Sequence, residues 1–321
     1  MKLRINVLTL MLGLLGGLFS CSQEELADIP DSEQACDVSL VLSIGDIQTK
    51  AATNYTYATE DELTIKNCHV AVFEVDGSDK PTNRIHFQNF SDDAMGSLTN
   101  NIVGNLSGYN LTLNNVRTFG KDAKKVQVLI VANADNSKFD NWTTYDQYAK
   151  GTLTASSFES SSLVKVGISS VAVLTYGQAN AEISISLNQL SAKIEYLGVY
   201  NKSTGVLLTD FSLSNVEGLN AKSQITIFDT KAVENSSFDS FTYSSDKPTT
   251  FYTYEINDSQ KKISLSVNGP SGAQTFDIDA NKLVKGNLYK IKGYYEPSIT
   301  AQIKWSLEGV EGIPIEIKPF E

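Results

Sequence analysis

The chain of 321 residues has only two histidines and three cysteines, and it lacks the residue patterns on which most enzymes depend. His69 and His86 both lie in strand-like segments, where a packed or surface imidazole is the ordinary state. The sequence contains no G-x-S-x-G, H-E-x-x-H or phosphate-binding glycine loop. Three cysteines without a C-x-x-C pair or a histidine cluster do not make a zinc site. We therefore predict neither an enzyme nor a protein that binds a metal or cofactor.

Basic residues and tryptophans are also scarce. Lys and Arg number 26 against 37 Asp and Glu, which gives a net charge of −11. Nucleic-acid binding depends on clustered Lys and Arg, so nucleic acid is not an expected partner. The two tryptophans, Trp142 and Trp305, are far apart in the sequence. Isolated tryptophans are more typical of core or edge positions than of a sugar-stacking platform.

The first twenty residues read as an export signal. Lys2 and Arg4 precede an apolar run from Ile5 to Phe19, and its length of about 15 residues suits a signal peptide and is too short to span a bilayer. Ser20 directly before Cys21 resembles a bacterial lipobox, in which the cysteine is acylated, typically with palmitate, and becomes the N-terminus. We predict a lipoprotein signal peptide over residues 1–20; an ordinary secretory signal cut near Ser20 is the alternative.

A detachable β-strand follows, in a predicted propeptide over residues 21–50. From Asp37 to Gly45, a wholly apolar face alternates with a face of Ser39, Val41 and Ser43, the pattern of a half-buried strand. Its apolar face consists of Val38, Leu40, Leu42 and Ile44. A polar segment with one basic residue, Lys50, comes directly afterwards, and such a segment suits a trypsin-like protease. Cleavage between Lys50 and Ala51 would detach the strand.

The remaining two cysteines bear on that release. If Cys21 carries lipid, Cys36 and Cys68 are left, and export would allow them to pair. A disulfide would tie the leader strand to the first core strand and oppose its removal. We therefore expect thiols, although pairing stays open.

Beyond Ala51 the pattern is of many short alternating strands separated by turn residues, without a long helical period. This pattern predicts an all-β chain of β-sandwich domains. Lys125 to Ala134 reads as a central strand buried on both faces, and Asn141 to Lys150 as a short helix. We place the two domains at residues 51–182 and 183–321, with a boundary after Leu190 as the alternative.

The C-terminal segment repeats the apolar alternation of the leader strand. Ile313, Ile315 and Ile317 alternate with polar residues or proline, and Phe320 lies near the end. Pro314 has no N–H to donate to a central ladder, so one side of this strand must face away from its neighbour or the strand must lie at an edge. Both segments could fill the same kind of groove.

Several segments together resemble the fimbrillin family, the FimA-type subunits of Bacteroidetes type V pili. The matching segments are the lipobox at Leu18–Cys21, the leader ending at Lys50, His69–Gly77, Val128–Ala134, Leu190–Glu195 and Asn287–Ile291 followed by Trp305. The resemblance implies two transthyretin-like β-sandwich domains in tandem, export as an outer-membrane lipoprotein, cleavage by a protease, and polymerisation into fimbriae. It also implies that the C-terminal strand is the donor in strand exchange. The family is usually cleaved after arginine, whereas the candidate here is Lys50.

Three functions remain open from the sequence. The favoured one is a polymerising fimbrial shaft subunit that supports adhesion, with copies of itself and other fimbrial subunits as partners. A processing protease, the outer membrane and ligands on host or bacterial surfaces would be its other contacts. The second is an anchor or tip subunit; an anchor should lack a usable cleavage site. The third, a surface glycan-binding lipoprotein, would need an exposed aromatic platform and has no use for a detachable leader strand.

Overall fold

Short strands make up most of the regular structure, as the alternating pattern predicts. The computed structural model describes residues 33–44, 59–103, 106–119, 123–154, 159–175, 182–217, 224–228, 249–254, 262–296, 302–309 and 314–315. The strands before residue 190 are β1 Glu33–Ile44, β2 Cys68–Val75, β3 Pro81–Phe90, β4 Thr99–Val103, β5 Leu106–Phe119, β6 Lys124–Ala132, β7 Thr152–Thr154, β8 Lys165–Ile168, β9 Ala172–Leu174 and β10 Ile183–Gln189. This mostly β architecture confirms the predicted all-β class.

The strands after residue 190 form a second group. They are β11 Ser191–Asn201, β12 Ser212–Glu217, β13 Gln224–Thr226, β14 Thr249–Tyr254, β15 Lys262–Gly269, β16 Gly272–Asp279, β17 Leu288–Tyr295, β18 Lys304–Gly309 and β19 Pro314–Ile315.

Helices are short in the described chain. They are α1 Glu60–Leu63, α2 Asp92–Met95 and α3 Tyr145–Lys150, with 3-10 turns at Asn136–Asn141, Ser160–Ser162 and Ala280–Lys282. The predicted helix over 141–150 is thus present as α3. Thr144 and Gln147 form a capping box at its N-terminus. No helix among the described residues has the length and apolar character needed to span a membrane.

Nine of the ten described strands before residue 190, all except β7, form one sheet in the order β3-β2-β6-β8-β10-β1-β5-β4, with β9 also paired to β6. Strand β10 pairs with β1 through residues 183–187 and with β8 through residues 188–189. It therefore joins two parts of the sheet, and both parts contribute side chains to one apolar core. The β6 side chains alternate between this core and a second cluster on the other face, which confirms a central strand buried on both faces.

Eight of the nine described strands after residue 190 make a five-stranded sheet, β14-β11-β17-β18-β19, and a three-stranded sheet, β12-β15-β16. A separate apolar core contains residues from both. The ninth strand, β13, pairs with β7 in a two-stranded sheet. The change of sheet comes between Gln189 and Ser191, because β10 belongs to the N-terminal sheet. The predicted boundary at residue 182 would assign β10 to the wrong sheet, so we propose Leu190, the alternative position, as the domain boundary.

Candidate functional site: the groove of the leader strand

The leader strand β1 lies inside the N-terminal sheet, not at its edge. It runs antiparallel to β5 on one side and parallel to β10 on the other. Leu42, for example, lies between Tyr109 of β5 and Ile185 of β10. Taking β1 away would leave the facing edges of β5 and β10 without their ladder partner.

The four predicted apolar side chains of the leader strand all point into the core. Their exposed fractions do not exceed 3%: Val38 1%, Leu40 1%, Leu42 0% and Ile44 3%. They share one cluster with side chains of β2, β5, β6 and β10. Burying an aliphatic side chain of this size contributes about 1.5–3 kcal/mol. The leader strand is therefore a structural part of the core of this sheet.

The opposite face of the leader strand is more buried than its alternating sequence indicates. Ser39 is exposed, as expected for a half-buried strand, but Val41 and Ser43 are buried. The Ser43 hydroxyl lies 3.5 Å from the Ile185 carbonyl oxygen, to which it donates, and 3.2 Å from the Ser186 hydroxyl. Because β10 satisfies this hydroxyl, a polar residue can occupy a buried position here.

A glycine fixes how closely β5 approaches the leader strand. Gly108 lies opposite Ser43, and a Cβ atom at this position would overlap the carbonyl oxygen of Leu42. A side chain at position 108 would thus occupy the space of the leader backbone. Glycine inside a strand is a known sign of such a close approach, so Gly108 itself is a signal in the sequence for this contact.

The segment just before β2 also lines the core that the leader strand fills. Leu63 and Ile65 belong to the same cluster as the leader side chains. The backbone N–H of Ile65 donates to the Tyr109 hydroxyl at 3.1 Å. One wall of the groove is therefore formed by residues that closely follow the predicted cleavage site in sequence.

Glu62 in this segment is a buried carboxylate held by residues of the second sheet. Its side chain is 0% exposed and lies 2.9 Å from the Lys193 ammonium, and the Tyr252 hydroxyl donates to it at 2.7 Å. Burial opposes ionisation, but the hydrogen bond from the Thr59 N–H and the contacts with Lys193 and Tyr252 outweigh it, and the pKa of Glu62 is lowered. Thr59 and Glu62 form a capping box at the start of α1, and the pattern Thr-x-x-Glu is a general sequence signal for a helix start. The ion pair had no sequence signal.

His69 is a packed residue. One ring nitrogen lies 2.6 Å from the Asn89 amide oxygen and the other 2.9 Å from the Tyr148 hydroxyl. The ring stacks on Phe139, with centroids 4.4 Å apart. Burial lowers the pKa of His69 to about 4, so the imidazole is neutral at neutral pH. Both ring nitrogens are occupied, which explains this histidine without a catalytic role.

The tryptophans pack against other rings. Trp142 makes edge contacts with Phe139 and Tyr148, and Trp305 stacks on Phe276 with centroids 5.0 Å apart. Within the described ranges, no cluster of His, Cys, Asp and Glu is arranged to hold a metal ion. Cys36 and Cys68 are present as thiols, and burial raises the pKa of Cys68.

Several predicted site residues lie outside the described residues, namely Cys21, Lys50, Ala51, Ile313, Ile317 and Phe320. Of the predicted donor strand, Ile315 is described: it lies opposite Leu307 in β19, the last strand of the five-stranded sheet. Pro314 is thus placed in an outer strand, where its missing N–H costs no central ladder bond.

Comparisons with known proteins agree with this architecture. The family model described as "Fim1F, C-terminal domain" matches residues 190–310. A Parabacteroides distasonis protein described as "Putative fimbrium tip subunit Fim1F" is 50% identical over 329 aligned residues, which cover 99% of this chain and 100% of that protein.

Two solved structures of Parabacteroides distasonis proteins match as well. The crystal structure of a fimbrial assembly protein is 49% identical, with a TM-score of 0.70, and the match covers 87% of this chain and 97% of that one. A protein titled "putative cell adhesion protein" shares the fold at 14% identity, with a TM-score of 0.57, over 89% of this chain and 99% of its own. The full-length relative and the shared architecture confirm the resemblance in the sequence: the chain belongs to the fimbrillin family of Bacteroidetes fimbrial subunits.

Proposed function

We propose that this fimbrial subunit is exported as a lipoprotein, cleaved after Lys50, and joined to its neighbour by exchange of the leader strand for a strand of the next subunit. The precursor would be attached to the outer membrane through lipid on Cys21, and the processed chain would lie in a cell-surface fimbrium. Its assembly partners would be other fimbrial subunits.

The observation that carries this proposal is the position of β1. A strand near the N-terminus completes the sheet from within, with four core side chains, and the predicted cleavage site follows six residues after its end at Ile44. Removing it would expose an apolar groove with two strand edges, which water solvates poorly. A strand from another subunit can restore both the ladder and the core by strand addition.

Within the fimbrium we propose the tip as the position of this subunit. The support is the name of the relative that is 50% identical over its whole length. A tip subunit terminates the filament, so it needs only one of the two strand-exchange features. We propose that it uses the groove and that its target is a ligand on a host or bacterial surface.

A shaft subunit is the second candidate, and the alternating C-terminal segment from Ile313 to Ile317 favours it. A shaft subunit must both accept a strand and donate one. Glycan binding through stacked tryptophans has less support, because Trp142 and Trp305 pack against rings of the protein itself.

Truncation after Gly312 separates the two candidates. If the chain is a shaft subunit, the truncated protein should fold but form no filaments. If it is a tip subunit that only accepts a strand, the truncated protein should still be found at fimbrial ends by immunogold labelling. Filaments of normal length built from the truncated chain itself would contradict the assignment of the C-terminal donor strand.

A further inference from the structure

One wall of the groove is held in place by contacts that do not involve the leader strand. This wall is the segment from Thr59 to Lys66, which includes α1 and ends two residues before β2. Its apolar side chains share the core with the leader strand. If the leader leaves, as the proposed function requires, these side chains lose a packing partner, and other contacts must keep the wall in place.

One fastening point is the Glu62 carboxylate. It receives the Thr59 N–H at 2.7 Å within its own helix, and it contacts Lys193 of β11 and Tyr252 of β14. Lys193 and Tyr252 lie directly opposite each other in the five-stranded sheet. The carboxylate therefore joins the wall of the N-terminal groove to two strands of the other sheet.

This contact is shielded from water. The Glu62 and Lys193 side chains are 0% and 7% exposed. Without the Glu62 carboxylate, the buried Lys193 ammonium would keep only its longer contact with the Glu195 carboxylate, at 3.8 Å. Losing a buried partner of this kind is far more costly than losing an exposed ion pair. Separating the wall from the five-stranded sheet therefore has a high cost in free energy.

The second fastening point is Asn133, just after β6. Its amide oxygen accepts the Lys66 N–H at 2.7 Å, and its amide nitrogen donates to the carbonyl oxygens of Thr64 at 2.9 Å and Leu163 at 3.1 Å. Asn133 is buried and has a positive φ of 59°, a conformation that asparagine tolerates better than most residues. Both fastening points thus use residues outside the leader strand.

We propose that Glu62 is the anchoring residue of the groove: through Lys193 and Tyr252 it keeps the segment Thr59–Lys66 in place when the leader strand is absent, so that the groove is preformed for an incoming strand. The inference rests on the proposed exchange of the leader. Glu62 acts by positioning the wall and touches no incoming strand itself.

Hydrogen exchange of the full precursor tests this directly, because the wall carries suitable reporters. The N–H groups of Leu63, Thr64, Ile65 and Lys66 are all hydrogen-bonded. We expect these amides to exchange at least about tenfold more slowly than those of β1, since the leader strand should open without the wall. Equal exchange of wall and leader in the unmodified precursor would overturn the inference.

The substitution Glu62→Gln should remove the difference in exchange rate between the wall amides and the amides of β1. Protection of the wall amides should fall by about 100-fold or more, to the level of β1 or below. Glu60→Gln is the matched control, because Glu60 lies in the same helix and is exposed. The readout is the ratio of wall to leader protection, since general destabilisation lowers both. An unchanged ratio in Glu62→Gln would contradict the anchoring role.

If Glu62→Gln does not fold, Tyr252→Phe is the second variant, because it removes only the hydrogen bond from Tyr252 to Glu62. The ratio of wall to leader protection in this variant then tests the anchoring role. An unchanged ratio there, too, would contradict the inference. The proposed function fails separately, if fimbriae contain a chain that still carries its leader. If fimbriae contain the processed chain but the wall of the precursor opens together with the leader, the anchor is refuted and strand exchange stands.

Discussion

Gly108 of β5 lies directly against the backbone of Leu42, so closely that a Cβ atom at position 108 would overlap the Leu42 carbonyl oxygen. The contact is between two backbones, and neither can move aside as a flexible side chain can. Any strand that replaces the leader in this register would meet the same restriction. Gly108 thus defines how close a strand must come to fill the groove.

Replacing Gly108 with Ala should therefore weaken the packing of the leader strand against β5. We expect a loss of about 1–3 kcal/mol in the free energy of unfolding, the usual cost of overpacking, together with faster proteolysis of the leader. Urea unfolding and limited proteolysis measure these effects. Gly77→Ala is the control, because nothing lies within 4 Å of a Cβ atom at that position. Equal behaviour of the two variants would show that β1 can shift without penalty.

Truncating a leader side chain should destabilise the whole N-terminal sheet. Leu42→Ala removes a fully buried side chain, for which we expect a loss of about 2–5 kcal/mol in chemical unfolding of the precursor. Ser39→Ala, on the exposed part of the same strand, should change stability by less than about 0.5 kcal/mol. Similar small losses in both variants would mean that the leader contributes little to the fold.

The sequence predicted the parts of this site that depend on local pattern. The alternation of Val38, Leu40, Leu42 and Ile44 identified a strand and its buried face, because a period of two is visible within a few residues. The pairing of β1 with β5 and β10 could not be predicted from this local pattern, because these strands are remote from one another in the chain. The Glu62–Lys193 contact spans 131 positions. Each residue by itself resembles an ordinary surface charge.

Domain assignment shows the same division between local and remote information. The weakly polar sequence at residues 177–181 is a local signal, and it precedes the start of β10 at Ile183. Whether β10 belongs to the preceding or following sheet is decided by its pairing with β1 and β8. Tertiary pairing of this kind has no short-range signature.

Lys50→Gln should block processing. A trypsin-like protease requires a basic residue before the scissile bond, so the variant should accumulate as a precursor that retains its leader and is absent from fimbriae. Immunoblotting of sheared fimbriae and of membranes measures this distribution. Lys80→Gln, an exposed lysine in a turn, is the control and should be processed normally. Normal incorporation of Lys50→Gln would place the cleavage site elsewhere.

Stability should decrease as the pH falls from about 6.5 to about 4 because of His69. Burial lowers the pKa of His69 from 6.5 to about 4. The unfolded chain therefore binds a proton in this window that the folded chain does not, and its contribution to stability, complete above pH 6.5, is lost on acidification. Over the full window this amounts to about 3 kcal/mol.

Urea unfolding between pH 4.5 and 7 measures this dependence. His69→Gln should show a shallower decrease than the unmodified protein, whatever its stability at pH 7. Identical slopes in the two proteins would contradict a neutral, buried His69.

The most direct test of the central claim is the intact mass of the chain released from purified fimbriae. The proposed function predicts a mass that begins at Ala51, with residues 33–44 absent, in material of high molecular weight. A chain that begins at acylated Cys21 and still contains its leader strand would contradict it, because the groove would then be occupied by the chain itself and could accept no strand from a neighbour.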